Sequence, residues 1–548
     1  MDVRPEQQDP ELHSRSYWRW SKQDFFPEAS FQSLASYKAA LSHTCSRLRD
    51  RLLNRSTDAF ELVELRKASE HNMHKCLTWW DLVWLSFGSV VGSGIFTITG
   101  LEAHDHAGPA IVLSYAISGL SALLSSFCYT EFAVEIPVAG GSFSYLRVEL
   151  GDFIAFIAAG NILLEAVVGA AGLGRAWSSY FASMIKNNPD FLRIKVSSLA
   201  EGFNLLDPVA VGVLLIANAI AMSGTKRASF LNWAAAIVYW SYTGFDMVAT
   251  MAEETKRPSR DIPLGLVGSM AMITVVYCLM ALALTMMEKY TQIDRDAAYS
   301  VAFGRIGMNW AKYLVSICAL KGMTTSLLVG SLGQARYTTQ IARAHMIPPW
   351  FALVHPRTGT PIYATLLVTI TSVIVAFFSS LDVLSSVFSF STLFIFMLIA
   401  VALLVRRYYV RDVTPNLVKF LACLFVIIGS CIGGTVLWNL NKGGWIGYVV
   451  AGLVWFLGTL AMAVLPKHRA PKVWGVPLVP WLPSLSIGMN IFLIGSLGSA
   501  AFWRFFICSA VMLIYYFLVG LHATYDVAHQ DEQELKNEEG KEDMNQGL

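Results

Sequence analysis

Thirteen stretches of this chain are each long and apolar enough to cross a lipid bilayer, and that count leaves little room for anything but a membrane fold. A helix rises about 1.5 Å per residue and the hydrocarbon core is about 30 Å thick, so one crossing takes about 20 mostly apolar residues. Runs of this kind cover approximately 82–101, 110–134, 153–185, 208–224, 234–252, 264–287 and 313–333. They continue at 362–380, 384–405, 417–437, 445–465, 481–498 and 502–523. With 55% of its 548 residues hydrophobic and 15% charged, the chain is too apolar for a soluble enzyme of this length. The expected class is all-α and integral to the membrane.

The ends differ from the middle. Residues 1–78 are polar, lack a cleavable signal and are expected to form a cytosolic tail, with an interfacial or solvated helix over about 60–78. Trp79 and Trp80 then sit where an aromatic belt anchors a first span, opening a membrane domain over 79–524. Residues 525–548 are charged, lack an apolar face and are expected to be disordered in the cytosol. The formal charge of +2 is spread in short clusters, so no nucleic-acid footprint is present. The eight cysteines lie mostly inside apolar runs and read as small buried hydrophobes. His104, Asp105 and His106 offer metal-ligand types, but three polar residues in a short loop read more simply as solvated; no metal or cofactor is expected.

Positive charge orients the spans. The loop 102–108 has no Lys or Arg and belongs outside, whereas Arg147 belongs inside. Three basic groups also belong inside: Arg336, Arg343 and Arg357; Arg406, Arg407 and Arg411; Lys467, Arg469 and Lys472. One run breaks the alternation. Residues 234–252 have Lys226 and Arg227 before them and Lys256, Arg257 and Arg260 after them, and a single crossing cannot have both ends inside. Either one basic loop is external or a crossing has been lost beside Ala234; the odd span count points the same way.

A solute site inside a membrane needs polar partners, and discontinuous helices supply them through freed backbone groups. The first span reads FGSVVGSGIFTITG, with Gly92, Ser93 and Gly94 at its middle. The N–H groups that open its second half suit a carboxylate, while Gly88 and Gly92 also have the spacing of close helix packing. A second candidate break is WSYTGFD, from Trp240 through Tyr242 and Thr243 to Asp246, whose carbonyls suit an ammonium group. Its alternative is an ordinary span whose hydroxyls bond their own backbone. Glu165 lies about twelve residues into its run, hence roughly 18 Å deep. A carboxylate there costs about 2.5 kcal/mol or more on insertion scales, so it calls for a cationic substrate, a proton or a structural partner such as Arg175. Asp246 is a coupling candidate.

These motifs resemble the amino acid–polyamine–organocation transporters, and within them the plant cationic amino acid transporters, from about Leu77 to Asp526. Besides GSGIF, the chain has CYTEFAVEIPVAGGSFSYLR from Cys128, GFDMVATMAEETKRPSRDIPLG from Gly244 and GQARYTTQIARAHMIPPW from Gly333. The resemblance implies two LeuT-like inverted five-helix repeats followed by four further spans. It implies a substrate carboxylate held by the backbone around Gly92, Ser93, Gly94 and Ile95, and an ammonium held near Trp240, Tyr242 and Thr243. Glu165 falls on a position tied to substrate or coupling chemistry, although Ala166 stands where the family often has Tyr.

Similar proteins also carry a fifth span where Trp233 here runs directly into Ala234, so about 13 spans stand against 14, as after a skipped exon. The implied function is proton-coupled uptake of arginine, lysine or histidine across a bilayer. The rivals are a non-transporting truncated isoform and a carrier of neutral amino acids or polyamines. No enzymatic motif is present. The implied location is a multi-pass one, plasma membrane first and vacuole or another endomembrane second.

Overall fold

The computed structural model describes residues 22–53, 78–91, 94–136, 141–200, 202–222, 255–356, 358, 360–410, 414, 417–440 and 444–529. Twelve of the thirteen apolar runs are helices; the run 234–252 lies outside the described residues. After a short helical turn at Lys22–Phe25 come α1 (Leu34–Ser42) and α2 (Thr44–Leu53). The first run is described in two pieces, α3 (Trp79–Val91) and α4 (Gly94–Glu102), followed by α5 (Ile111–Glu135), a short α6 (Gly141–Leu150), α7 (Asp152–Met184) and α8 (Pro208–Met222). After the undescribed stretch come α9 (Pro258–Met287), a short α10 (Ala298–Arg305), α11 (Asn309–Arg343), α12 (Ile362–Phe378) and α13 (Leu381–Tyr408). The last four are α14 (Leu417–Asn439), α15 (Gly444–Val464), α16 (Trp481–Ser496) and α17 (Ser499–Tyr515), which continues through a wider turn to His529. The fold is that of an all-α integral membrane protein.

The chain reverses between α4 and α5 at Gly108, whose φ of 54° is a conformation that side-chain-bearing residues avoid. The reversal brings Thr99 Oγ1 to 2.7 Å from Tyr115 Oη, sixteen residues on. Small residues then let helices approach. A Cβ added at Gly119 would come within 2.3 Å of Thr274, and one at Gly265 within 2.7 Å of Leu82, so α9 lies tight against both α5 and α3. The 33-residue α7 is about 50 Å long, well beyond the bilayer core, and packs against α8, α11, α12 and α13. At the rim, α14 and α15 leave Phe425 and Trp445 exposed, as a lipid-facing pair should.

Ion pairs fasten both ends of the bundle. At the basic end, Arg406 pairs with Glu135 at 3.1 Å and with Glu149, while Arg407 pairs with Glu131 at 2.7 Å. Glu131 also accepts from the Val476 amide at 2.8 Å and Glu135 from the Lys472 amide at 2.6 Å. Arg336 and Arg343, expected in a loop, lie on the last turns of α11. At the other end, Arg193 reaches Asp190 at 2.6 Å, Asp296 at 3.1 Å and Asp207 at 3.3 Å beside a two-residue antiparallel pairing of Ile194 with Leu206 and Lys195 with Leu205. Burial opposes its charge, but Asp296, Asp190 and Asp207 outweigh that and hold the guanidinium well above its ordinary pKa.

Two expectations change. A lost crossing was expected to reverse everything downstream; instead the later helices keep the orientation that their basic ends require. Met222, closing α8, has its carbonyl bonded by Thr360 at the basic end, and Lys256 lies close enough to Asp81, in the first turn of α3, to act on its charge. The described residues that flank 223–254 thus lie toward the same end of the bundle. The C-terminal tail also differs from expectation. Residues 22–53 dock on the bundle: Glu28 meets His345 at 2.5 Å, Phe25 stacks on Trp350 at 4.5 Å, and Arg51 pairs with Asp152. The tail expected to be disordered from residue 525 is helical to His529, where Asp526 accepts from the Ser30 amide at 2.7 Å and pairs with Arg47 at 3.2 Å. Nearly all of the expected 60–78 helix lies outside the described residues.

Removing one partner of a buried ionic cluster leaves charge uncompensated, at a cost of about 3–5 kcal/mol. Arg193→Ala should therefore lower the melting temperature of the detergent-purified protein sharply, with Arg193→Lys intermediate. Equal melting of all three would show that the cluster contributes nothing.

Candidate functional site

Of the residues proposed to hold substrate, Gly94, Ile95 and Glu165 lie among the described residues; Gly92, Ser93, Trp240, Tyr242, Thr243 and the coupling candidate Asp246 lie outside them. The run is helical up to Val91 and again from Gly94, on either side of Gly92 and Ser93. Gly94 and Ile95 are buried, and the Ile95 carbonyl accepts from Thr99 Oγ1 one turn on. Aromatic side chains close over α4: Phe96 lies edge-on to Tyr180 of α7 at 6.1 Å and to Tyr299 of α10 at 5.7 Å. Tyr180 Oη also donates to the Phe96 carbonyl at 3.2 Å.

Glu165 sits on α7, thirteen residues from its cytosolic start, or about 20 Å along the axis. Thr392 Oγ1 of α13 donates to Glu165 Oε1 at 2.9 Å. Gln334 Nε2 of α11 donates to the carbonyl of the next residue, Ala166, at 3.2 Å. Three helices thus fix the carboxylate and the backbone beside it. Arg175 is not its partner. It lies ten residues further along α7, about 15 Å away, and donates to the carbonyls of Leu205 at 3.1 Å and Ala376 at 3.0 Å.

The described contacts do not join Glu165 to the α4 motif. Tyr180, which meets Phe96, is fifteen residues from Glu165, about 22 Å along α7. Sequence reasoning found Glu165 from its depth but missed Thr392 and Gln334, whose only signal was a polar side chain inside an apolar run.

At the external end, a cavity of about 760 Å³ is lined by Asp190, Asp294, Asp296, His104, Arg295 and Arg305, among others. Burial pushes the Asp294 carboxyl above its ordinary pKa, although the Ala297 and Asp296 amides pull the other way. Such a cleft focuses the field on an approaching charged solute. The His104–His106 loop closes on itself: His104 Nδ1 lies 2.6 Å from Asp105, Asp105 pairs with Arg295 at 2.8 Å, and His106 lies 3.4 Å from Glu102. Among the described residues, no group of three His, Cys, Asp or Glu side chains is arranged to hold a metal.

The family described as amino acid permease matches residues 77–238 and 218–466, and its C-terminal family matches residues 474–524. The chain belongs to the amino acid permease family. Its relatives include plant cationic amino acid transporters. Cationic amino acid transporter 8, vacuolar, of Arabidopsis thaliana is 71% identical over 96% of this chain and 96% of the relative. Cationic amino acid transporter 5 of the same plant is 61% identical over 95% and 99%, and transporter 1 is 54% identical over 95% and 95%. These alignments run to 565, 563 and 566 positions, more than the chain's 548 residues, so each relative carries residues that have no counterpart here. The two permease matches overlap over 218–238, the stretch that contains Trp233 and Ala234.

A hydrogen bond to a charged group contributes about 1.5–3 kcal/mol. In a transport-competent form of this permease, Thr392→Val should therefore cut arginine uptake about tenfold or more, with Thr392→Ser near the parent. If uptake is unchanged in Thr392→Val, the hydroxyl does not set the working state of Glu165.

Proposed function

We propose that this chain is built to carry cationic amino acids, arginine, lysine and histidine, as a proton-coupled secondary transporter. The observation that carries the reading is its 71% identity, along nearly its whole length, to a relative named a cationic amino acid transporter. Permease membership argues against an enzyme. In this reading a substrate carboxylate meets the backbone N–H groups of Gly94 and Ile95, assisted by Gly92 and Ser93. The ammonium meets carbonyls near Trp240, Tyr242 and Thr243. Glu165, already held by Thr392, supplies the negative charge that a cationic side chain or a coupling proton needs during transit, with Asp246 as a second proton carrier. The site belongs to two inverted five-helix repeats, with four further spans after them and cytosolic tails on either side. The vacuolar relative moves the vacuolar membrane ahead of the plasma membrane as the expected location.

A second reading has its own support. The relatives carry residues that this chain lacks, and Met222 and Lys256, which flank 223–254, lie toward the same end of the bundle, as after loss of the fifth span. In that form the first repeat is one helix short, and the chain is a non-transporting variant of a transporter.

Uptake of radiolabelled arginine into vesicles separates the two, using this chain and a version with the relative's segment restored between Trp233 and Ala234. Uptake by the restored chain alone, stimulated by an inward proton gradient and abolished by Gly94→Val or Glu165→Ala, is the expected result. Uptake by the unrestored chain overturns the second reading. Absence of arginine uptake by both, with glutamine or putrescine carried by the restored one, overturns the cationic reading.

A further inference from the structure

Where α7, α8, α11 and α12 meet, a cavity of about 10 Å³ lies among side chains that are mostly polar. Helix α11 turns Ser326, Ser331 and Gln334 toward it, α8 contributes Asn218, α12 contributes Ser372 and α7 contributes Ala170. Polar side chains at this depth are costly, so each of their hydrogen-bonding groups has to be accounted for.

Three of the five polar residues are engaged. Ser331 Oγ donates to Asn218 Oδ1 at 2.6 Å, Asn218 Nδ2 donates to the Leu214 carbonyl at 2.8 Å, and Gln334 Nε2 donates to the Ala166 carbonyl at 3.2 Å. The hydroxyls of Ser326 and Ser372 make no hydrogen bond, although the two residues are 0% and 1% exposed. An unsatisfied buried hydroxyl costs about 1–3 kcal/mol, and here two of them face one small space.

We infer that this cavity binds a single internal water molecule. Its size matches the roughly 10–15 Å³ that one water requires, and it offers the 2–4 polar partners that hold a buried water. Water also fits the donor inventory, because the two serine hydroxyls need acceptors for their protons. A water oxygen accepts both, and its own protons go to Gln334 Oε1 and the remaining lone pair of Asn218 Oδ1. A monovalent cation would offer the hydroxyls no acceptor, and no carboxylate lines the cavity to balance it. The water couples α8, α11 and α12, and it fixes the Gln334 amide with its nitrogen on the Ala166 carbonyl beside Glu165. The site does not depend on which solute is carried.

The test uses the full-length purified protein and the variants Ser326→Ala, Ser372→Ala and the double variant. If a water is bound, each single alanine removes one partner from a water that stays, and the melting temperature falls by about 2 °C or more. If the cavity is dry, each alanine removes an unsatisfied hydroxyl and the melting temperature stays or rises, which overturns the proposal. Sodium chloride compared with choline chloride tests the cation: a sodium-specific rise in melting temperature that is lost in the double variant would replace water with a metal ion. A high-resolution density map gives an independent reading. One peak about 2.6–3.2 Å from both serine oxygens is expected, and an empty cavity overturns the assignment.

Discussion

A charge in hydrocarbon has no water to answer it, and this bundle is fastened where its charges answer one another. The buried guanidiniums of Arg406 and Arg407 at the end of α13 hold three carboxylates, Glu131 and Glu135 from α5 and Glu149 from α6. Backbone amides from the segment before α16 add to the same carboxylates. Helices far apart in sequence are thereby set at one level. Arg193 does the same at the opposite end, drawing together Asp190, Asp207 and Asp296 from two loops. Between the two clusters the helices are joined mainly by small residues and hydroxyls, as at Gly119 with Thr274 and Ser183 with Ser300, where nothing as strong as an ion pair fixes their relative position.

The same pairing explains how the later helices keep their orientation. Glu131 and Glu135 precede the stretch 223–254, whereas Arg406 and Arg407 follow it. Reversing everything after that stretch would send the arginines to one face and leave the glutamates on the other. Met222 and Lys256, on either side of residues 223–254, instead lie toward the same end of the bundle. Electrostatic pairing across the sequence outweighs simple alternation.

Much of the architecture was legible because length and apolarity alone specify a membrane helix. Twelve of the runs read from sequence are helices here, and the first of them is helical on both sides of Gly92 and Ser93, which lie outside the described residues. The partners of the site were not legible. Thr392 lies 227 residues from Glu165, and nothing local marks it among the other hydroxyls of α13. Arg175 suggested itself as a partner by nearness in sequence, yet ten residues along a helix is a long way in space, and its donors go to carbonyl oxygens instead. The docking of the N-terminal segment was not legible for a related reason. A polar composition says only that a segment avoids lipid, not that Arg47 and Ser30 find Asp526 at the far end of the chain.

That last contact bears on the order in which the protein is made. Residues 22–53 leave the ribosome before any membrane helix, but Asp526 and the Leu518 carbonyl, which Tyr37 reaches at 3.0 Å, are synthesised last. The contacts of Ser30, Tyr37 and Arg47 must therefore wait until the final helix is made, and their closure reports that this helix is in place. A chain whose insertion stalled midway would leave these contacts unmade on the cytosolic side, where proteases and quality-control factors can reach the segment.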